Sequence, residues 1–209
     1  AEIAAKMGVQ ARILPMSNAR VETRVDTPIG ELSFEEYFVQ RWYQDPVNSI
    51  RFAGIENAQP APGVIDAIMS ASLVLLAPSN PVTSIGPILA VPGITEALKQ
   101  TPALVAAVSP IIGNTAVSGP AGILMAAQGL PVSIGGVAQA YREFLDLLVV
   151  DRRDAKAAEE LRKTGLRVHC ANTIMSTADE KIDLARQILS QVESPTSNEN
   201  AAHAGSDLS

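Results

Sequence analysis

The chain has 209 residues, of which 47% are hydrophobic and only 4% aromatic, so its core must consist largely of Ala, Val, Ile and Leu, as in a parallel sheet covered by helices. A formal net charge of −6 argues against a nucleic-acid-binding surface, and the presence of one cysteine excludes a disulfide framework. No apolar run reaches the roughly 20 residues of a membrane span, and we expect a cytoplasmic protein without a nucleic-acid or membrane partner.

Residues 1–60 are predicted to form a small α+β hairpin and helix subdomain. Residues 1–7 have the composition of a helix end, and residues 11–16 are typical of a strand. Residues 20–27 alternate valine and threonine with charged side chains. This period of two predicts a half-exposed strand that pairs with residues 31–33 in a hairpin.

A helix is predicted over residues 34–42, because Ser33 and Glu36 have the spacing of a capping box and aromatic residues follow at helical intervals. A short strand over residues 48–54 comes next. The aromatic side chains of this helix have two interpretations. They pack on the hairpin as part of the core, or one or two of them line a site for a flat ring.

From residue 61 to residue 192, strand and helix patterns alternate. This alternation predicts an α/β fold with a Rossmann-like, mostly parallel sheet and helices on both faces. The strands are predicted over residues 73–77, 103–109, 131–134, 147–151 and 166–171. The helices are predicted over residues 64–70, 85–91, 94–100, 121–128, 138–145, 155–164 and 179–191. Residues 193–209 are polar and aperiodic and are predicted to be a disordered tail.

Two loops that follow predicted strands carry small polar residues. The first contains Ser79, Asn80, Thr83 and Ser84, and the second begins at Ser109. Because ligands bind at the carboxyl ends of parallel strands, we expect both loops to open onto one site. Their hydroxyls, together with backbone N–H groups near Gly86 and Gly113, could hold phosphate oxygens without a cationic side chain. The alternative is that both loops are only tight, proline-stiffened turns.

Motifs of several enzyme classes are absent from the sequence. There is no Walker A sequence, no glycine-rich dinucleotide fingerprint, no nucleophile elbow of the G-x-S-x-G type and no cysteine–histidine spacing of a zinc site. Asp151 ends a predicted strand at the same sheet edge, and we interpret it as the cap of the next helix. The residues alone thus indicate an anion site without an evident catalytic group.

Five segments of this sequence resemble the 2-phospho-L-lactate transferase family in order and spacing. The longest is Ala-Pro-Ser-Asn-Pro-Val-Thr-Ser-Ile-Gly-Pro-Ile-Leu-Ala-Val-Pro-Gly over residues 77–93, and Ser-Pro-Ile-Ile-Gly follows over residues 109–113. The others lie at residues 32–39, 50–54 and 60–63. The resemblance extends over residues 1–190.

The resemblance implies a transferase of coenzyme F-420 biosynthesis. Such an enzyme moves a phospho-acid (2-phospholactate, phosphoenolpyruvate or 3-phosphoglycerate) from its guanosine-diphosphate-activated form to the 5′-hydroxyl of the deazaflavin Fo and releases GMP. It further implies Mg²⁺ as cofactor and a homodimer. By the same resemblance, we expect the metal ligands in an N-terminal segment that precedes the part of the family to which this chain corresponds, with no metal ligand in this chain.

The resemblance also supplies the predicted substrate-binding residues, which are Ser79, Asn80, Pro81, Ser84, Gly86, Ser109, Pro110 and Gly113. The first loop is expected to position substrate or phosphate, and the second to wall the deazaflavin or the nucleotide. Two departures concern basic residues: Asn114 and Thr115 replace a Gly-Lys pair that is usual in the family, and Gln139 and Ala140 replace Arg-His. Anion contacts at those positions are therefore not expected here.

Two other functions compete with the transferase. The same superfamily includes non-catalytic regulators that bind nucleotide sugars, and a folded module without activity is the third hypothesis. The Ser-Asn-Pro-Val sequence at residues 79–82 favours the transferase.

Overall fold

The computed structural model describes Lys6, Gly8 and residues 10–193. Lys6 aside, the helix predicted over residues 1–7 lies outside the described residues. The predicted tail also lies outside them, except for residue 193, which ends the last helix. The division near residue 60 stays a prediction.

An antiparallel sheet of three strands comes first. Its strands are β1 (Glu22–Thr27), β2 (Gly30–Ser33) and β3 (Ser49–Ala53), in the spatial order β2-β1-β3. Val25 of the central strand lies opposite Leu32 on one side and Ile50 on the other, and it is fully buried. The predicted hairpin is confirmed, and the alternation of residues explains why one face of β1 is buried.

The helix between β2 and β3 begins as predicted but is shorter than expected. Glu36 N–H donates to Ser33 Oγ at 3.1 Å, and Ser33 N–H donates to Glu36 Oε2 at 2.8 Å, which completes the capping box. Residues Glu36–Gln40 form a π-helical turn. The helix then ends because Trp42 and Tyr43 take left-handed φ values of 51° and 47°.

The parallel sheet contains β4 (Leu73–Leu76), β5 (Leu104–Val108), β8 (Leu147–Asp151) and β9 (Arg167–Ala171), in that spatial order. All pairings are parallel, with Leu73 opposite Leu104, and this confirms the predicted α/β class. In the chain between β5 and β8, a small separate hairpin is formed by β6 (Ile111–Ile112) and β7 (Thr115–Ala116), which the sequence patterns did not predict. Its turn residues Gly113 and Asn114 have φ values of 55° and 63°.

Helices cover both faces of this sheet. They are α1 (Val64–Met69), α2 (Gly86–Ala90), α3 (Ile94–Gln100), α4 (Ala121–Ala127), α5 (Ile134–Tyr141), α6 (Ala155–Arg162) and α7 (Ala178–Glu193). On one face the buried Leu148 belongs to a cluster with Leu98 of α3 and Leu124 of α4. On the other face, Val149 packs in a second cluster with Leu184 and Ile188 of α7. The first cluster also contains Val25 and Tyr37, so it joins the two sheets.

Two predicted strands are wrong. Residues 11–16 form no strand, because Pro15 lacks a backbone donor for a ladder. The chain there is instead held through Met16, whose carbonyl accepts from Ala61 N–H at 3.1 Å. Residues 131–134 lead into α5, which starts four residues before the helix predicted over 138–145, because Ser133 Oγ accepts from Gly136 N–H and caps it.

Within the described residues, no single helix has the length and apolar composition of a membrane span. The segments Pro81–Ala90 and Ile94–Gln100 meet that test only as a pair, with a bend of 87° between them.

Candidate functional site

A cavity of about 520 Å³ lies where the strands of the parallel sheet end. The loops after β4, β5 and β9 and the segment after β7 form most of its wall, as expected for the carboxyl edge of a parallel sheet. Phe34 and Phe38 close it from the side of the antiparallel sheet. The other lining residues are Pro78, Ser79, Asn80, Thr83, Ser84, Ser109, Pro110, Val117, Ser118, Gly119, Pro120, Ala121, Thr173, Ile174, Met175 and Ser176.

Asn80 shapes the loop after β4. Its side-chain Oδ1 accepts from Val82 N–H at 2.9 Å and from Thr83 N–H at 3.3 Å, so it caps the π-helical turn Pro81–Ile85. Pro81 suits the first position of this turn, since its φ is fixed and no backbone donor is needed there. The result is a tight turn that brings Ser79, Thr83 and Ser84 to the cavity wall.

Ser109 is buried at the end of β5, with 2% exposure, and it uses its hydroxyl locally. Ser109 Oγ donates to the carbonyl oxygen of Ile111 at 2.9 Å and accepts from Ile111 N–H at 3.1 Å. The hydroxyl therefore holds the turn that places Pro110 in the wall.

Three of the eight predicted residues lie away from the cavity wall. Gly113 N–H donates to Asp154 Oδ1 at 3.0 Å, so this donor is already engaged within the protein. Gly86 packs under β3, where an added Cβ would lie 3.0 Å from Phe52 Cζ. Pro81 is buried at the start of its turn. The structure thus groups Ser79, Asn80, Ser84, Ser109 and Pro110 at one cavity, and the ligand-binding roles of all eight residues stay predictions.

The wall formed by residues 173–176 was not predicted. Asp151 anchors it, because Asp151 Oδ2 accepts from both N–H and Oγ1 of Thr173 at 3.2 Å. Asp151 Oδ1 accepts from Arg153 N–H at 3.1 Å, which confirms the predicted cap. Like the two predicted loops, residues 173–176 follow a parallel strand. The rule that ligands bind at the carboxyl ends of parallel strands would have identified them if it had been applied to β9.

The charge of Asp151 is stabilised in its buried position. Its side chain is only 4% exposed, and Arg153 Nε donates to Oδ1 at 2.6 Å. This hydrogen bond, assisted by the backbone donors of Arg153 and Thr173, holds the pKa of Asp151 well below its usual range. We therefore assign Asp151 a structural role at the cavity edge and not that of a general base.

The aromatic part of the wall is a stack of parallel rings. Phe34 and Phe38 have ring centroids 5.7 Å apart with an interplanar angle of 7°, and Phe38 stacks on Tyr43 at 5.7 Å and 16°. Tyr37 of the same turn is fully buried in the core. Tyr37 thus packs in the core, as the first interpretation has it, and two phenylalanines border the cavity. That the cavity takes a flat ring stays a prediction.

The cavity wall is neutral. Within residues 10–193, no charged side chain lines it, and its polar atoms come from hydroxyls, one asparagine and the backbone. In the same part of the chain, no group of three or more His, Cys, Asp or Glu side chains could hold a metal ion. Such a wall can donate hydrogen bonds to oxygen-rich groups and present flat apolar surface to a ring.

Comparison with known proteins identifies relatives for nearly the whole described chain. The family model described as 2-phospho-L-lactate transferase CofD matches residues 1–190. Among curated proteins, the 2-phospho-L-lactate transferase of Methanococcoides burtonii is 44% identical over 189 residues, covering 90% of this chain and 61% of that protein. Its counterpart from Methanothermobacter thermautotrophicus is 43% identical over 186 residues, covering 89% of this chain and 59% of that protein. The chain thus spans about 60% of the length of these relatives.

A solved structure supports the fold. A crystal structure of a UPF0052 family member from Bacillus halodurans matches with a TM-score of 0.59, covering 88% of this chain and 64% of that one. The identity is 18%, so the likeness concerns the fold alone.

Proposed function

Because the chain belongs to the 2-phospho-L-lactate transferase family CofD, we propose that it acts in a transferase of coenzyme F-420 biosynthesis. One observation carries the proposal. The two family segments at residues 77–93 and 109–113, which are 16 or more residues apart in the sequence, contribute Ser79, Asn80, Ser84, Ser109 and Pro110 to the wall of one cavity.

The proposed reaction joins the deazaflavin Fo to a phospho-acid. The 5′-hydroxyl oxygen of Fo attacks the phosphorus that bears the acid, the bond from this phosphorus to the bridging oxygen breaks, and GMP leaves with that oxygen. The hydroxyl proton passes to solvent. Such a transfer depends mainly on positioning and on stabilising charge at the phosphoryl oxygens. Hydroxyl donors on the cavity wall are suited to positioning the phosphoryl group.

The acceptor is proposed to lie against the aromatic wall. A deazaflavin has a flat, extended ring system, and rings of this kind stack on aromatic side chains at centroid distances of about 4.5–7 Å. Phe38 is 38% exposed, although its ring already stacks on the rings of Phe34 and Tyr43. Its exposed part and Phe34 supply apolar surface beside the hydroxyls of Ser79 and Ser84.

Mg²⁺ also belongs to the proposal. The described residues supply no cluster of carboxylates for it, so the chemistry derived from this chain includes no step through the metal. Homodimer formation and a cytoplasmic location are likewise parts of the proposal, as is the choice among 2-phospholactate, phosphoenolpyruvate and 3-phosphoglycerate.

The test is a titration of Fo, followed by its fluorescence, with the 209-residue chain in the presence and absence of GDP and Mg²⁺. We expect binding, and we expect Phe38→Leu to weaken it by about threefold to tenfold, since an offset or edge-to-face contact with the exposed part of the ring contributes roughly 0.5–1.5 kcal/mol. Val39→Ala is the matched control, because Val39 is the next residue, is 57% exposed and lies outside the cavity wall. Binding of a uridine diphosphate sugar in place of Fo by the folded chain would refute the transferase and support the regulator.

A further inference from the structure

The hydroxyl of Thr83 has no hydrogen-bond partner. Among the residues that the structure describes, Thr83 Oγ1 is identified as a buried side-chain polar atom without one. Buried polar groups are almost always paired, and an unpaired one costs free energy in the folded protein. This atom therefore needs an explanation that is specific to its position.

The π-helical turn removes one of the usual hydrogen-bond partners of Thr83. A threonine in a helix usually donates its hydroxyl to the carbonyl oxygen three or four residues earlier. Three residues before Thr83 is Asn80, whose carbonyl oxygen already accepts from Ser84 N–H and Ile85 N–H, both at 3.1 Å. A carbonyl oxygen has two lone pairs, so both are in use. The cap that shapes this loop thereby occupies one of the two carbonyl oxygens to which the hydroxyl of Thr83 would usually donate, that of Asn80.

Thr83 also lines the cavity. The residue as a whole is only half-buried, whereas its hydroxyl oxygen is buried, so the accessible part of Thr83 is not the hydroxyl. Rotation about χ1 can bring the hydroxyl to the position that the methyl occupies, and threonine populates more than one such rotamer in helical backbone. A ligand with a hydrogen-bond acceptor at this wall would give the rotated hydroxyl the partner that the free protein lacks.

The surroundings permit an anionic acceptor. Ser79 and Ser84 lie on the same short loop, and within the described residues no carboxylate lines the cavity that would repel a negative charge. A phosphate group offers several acceptor oxygens at once, and hydrogen bonds to ionised acceptors are stronger than those between neutral groups.

We propose that Thr83 is a ligand-positioning residue whose hydroxyl turns to donate a hydrogen bond to a phosphate oxygen of the diphosphate bound in this cavity. The inference rests on the proposed function, since it assigns the diphosphate of the guanosine nucleotide to this wall. Thr83 was noticed in the sequence only as one of several polar residues in the loop, and the unpartnered hydroxyl distinguishes it from its neighbours.

The experiment combines two measurements on Thr83→Val, an almost isosteric change that removes the hydroxyl. We expect this variant to melt about 2–4 °C higher than the wild-type chain, because an unpartnered polar group is lost. We expect its affinity for GDP and for pyrophosphate, measured by calorimetry, to fall about tenfold. Thr83→Ser keeps the hydroxyl and should bind both probes within about twofold of the wild type.

Thr101→Val is the matched control, since Thr101 Oγ1 donates to the carbonyl oxygen of Ile68 at 2.7 Å outside the cavity wall. It should melt at a lower temperature than the wild type and bind both probes normally. If Thr83→Val binds GDP and pyrophosphate as tightly as the wild type does, the role of Thr83 is refuted while the proposed function stands. If the wild-type chain binds Fo but neither GDP nor pyrophosphate, the placement of the diphosphate is refuted, and if it binds none of the three, the proposed function is refuted as well.

Discussion

Asn80 controls the loop after β4 through two atoms with different tasks. Its side-chain oxygen accepts from Val82 N–H and Thr83 N–H, and its backbone oxygen accepts from Ser84 N–H and Ile85 N–H. The side-chain bonds are those of a helix cap, in which an acceptor satisfies donors that the helix itself leaves unpaired. The residue that the sequence suggested as a ligand contact is therefore first of all the residue that builds the loop.

Asn80→Ala should lower the free energy of unfolding by about 1 kcal/mol, because the cap is lost. Asn80→Asp keeps an acceptor at the same place and should retain most of that stability. Urea unfolding of both variants measures the difference. An equal loss in the two variants would contradict the capping role.

The same loop carries Ser79, Thr83 and Ser84 to the cavity, so its shape should matter for the proposed reaction. In an assay with Fo and a guanosine diphospho-acid, using a protein that spans the full length of the family, Asn80→Ala should lower turnover at least about tenfold. Unchanged turnover would remove Asn80 from the site.

At the scale of the secondary-structure element, the first turn of α5 contains two glycines with unequal roles. A Cβ on Gly136 would collide with the carbonyl oxygen of Pro131 and lie 3.1 Å from Met125 Cε. A Cβ on Gly135 would meet only Ser133 Oγ, at 3.4 Å, which is ordinary contact. Gly136 is thus required by the close approach of the preceding segment, whereas Gly135 is not.

We expect Gly136→Ala to lower the free energy of unfolding by about 1–3 kcal/mol, since the added methyl displaces backbone in a packed region. Gly135→Ala, the adjacent control, should be as stable as the wild type or more stable by up to about 1 kcal/mol, because alanine favours a helix. Thermal or chemical unfolding measures both changes. The close approach would be refuted by a Gly136→Ala chain as stable as Gly135→Ala.

At the scale of the whole molecule, Asp151 connects the ends of two parallel strands at the cavity. It terminates β8, and it holds Thr173, which follows β9, through two hydrogen bonds. Its pKa is lower in the folded protein than in the unfolded chain, chiefly because of the Arg153 hydrogen bond. A group with a lowered folded-state pKa stabilises the protein fully above its unfolded pKa, and this contribution is lost as the pH falls through the folded value.

Asp151→Asn should therefore lower the free energy of unfolding by about 2 kcal/mol at neutral pH, where the wild-type carboxylate is charged. The difference between the two proteins should shrink as the pH falls below about 4. Urea unfolding across this range, with Asp179→Asn on the exposed start of α7 as control, tests the prediction. A difference that does not vary with pH would show that the charge of Asp151 contributes nothing.

Local patterns in the sequence were sufficient to predict most elements of the fold. Apolar runs predicted β4, β5 and β8, the short strand β9 was also predicted, and the spacing of Ser33 and Glu36 predicted a helix start that the structure confirms. These features depend on neighbouring residues, since backbone hydrogen bonding and hydrophobic periodicity act over a few positions. The failures at residues 11–16 and 131–134 occur where Pro15 and Ser133 redirect the backbone.

The cavity depended on contacts between residues that are distant in the sequence. The order of the strands suggested that the loops after β4 and β5 would meet, and they do. Only the tertiary structure revealed that the N–H of Gly113 donates to Asp154 and that Phe52 packs on Gly86. It also revealed that Asp151 brings residues 173–176 into the wall. The sequence by itself determined most of the elements and the family, because both depend on the local order of residues. The tertiary structure decided which donors stay free for a ligand, because a hydrogen bond formed across the fold leaves no local pattern.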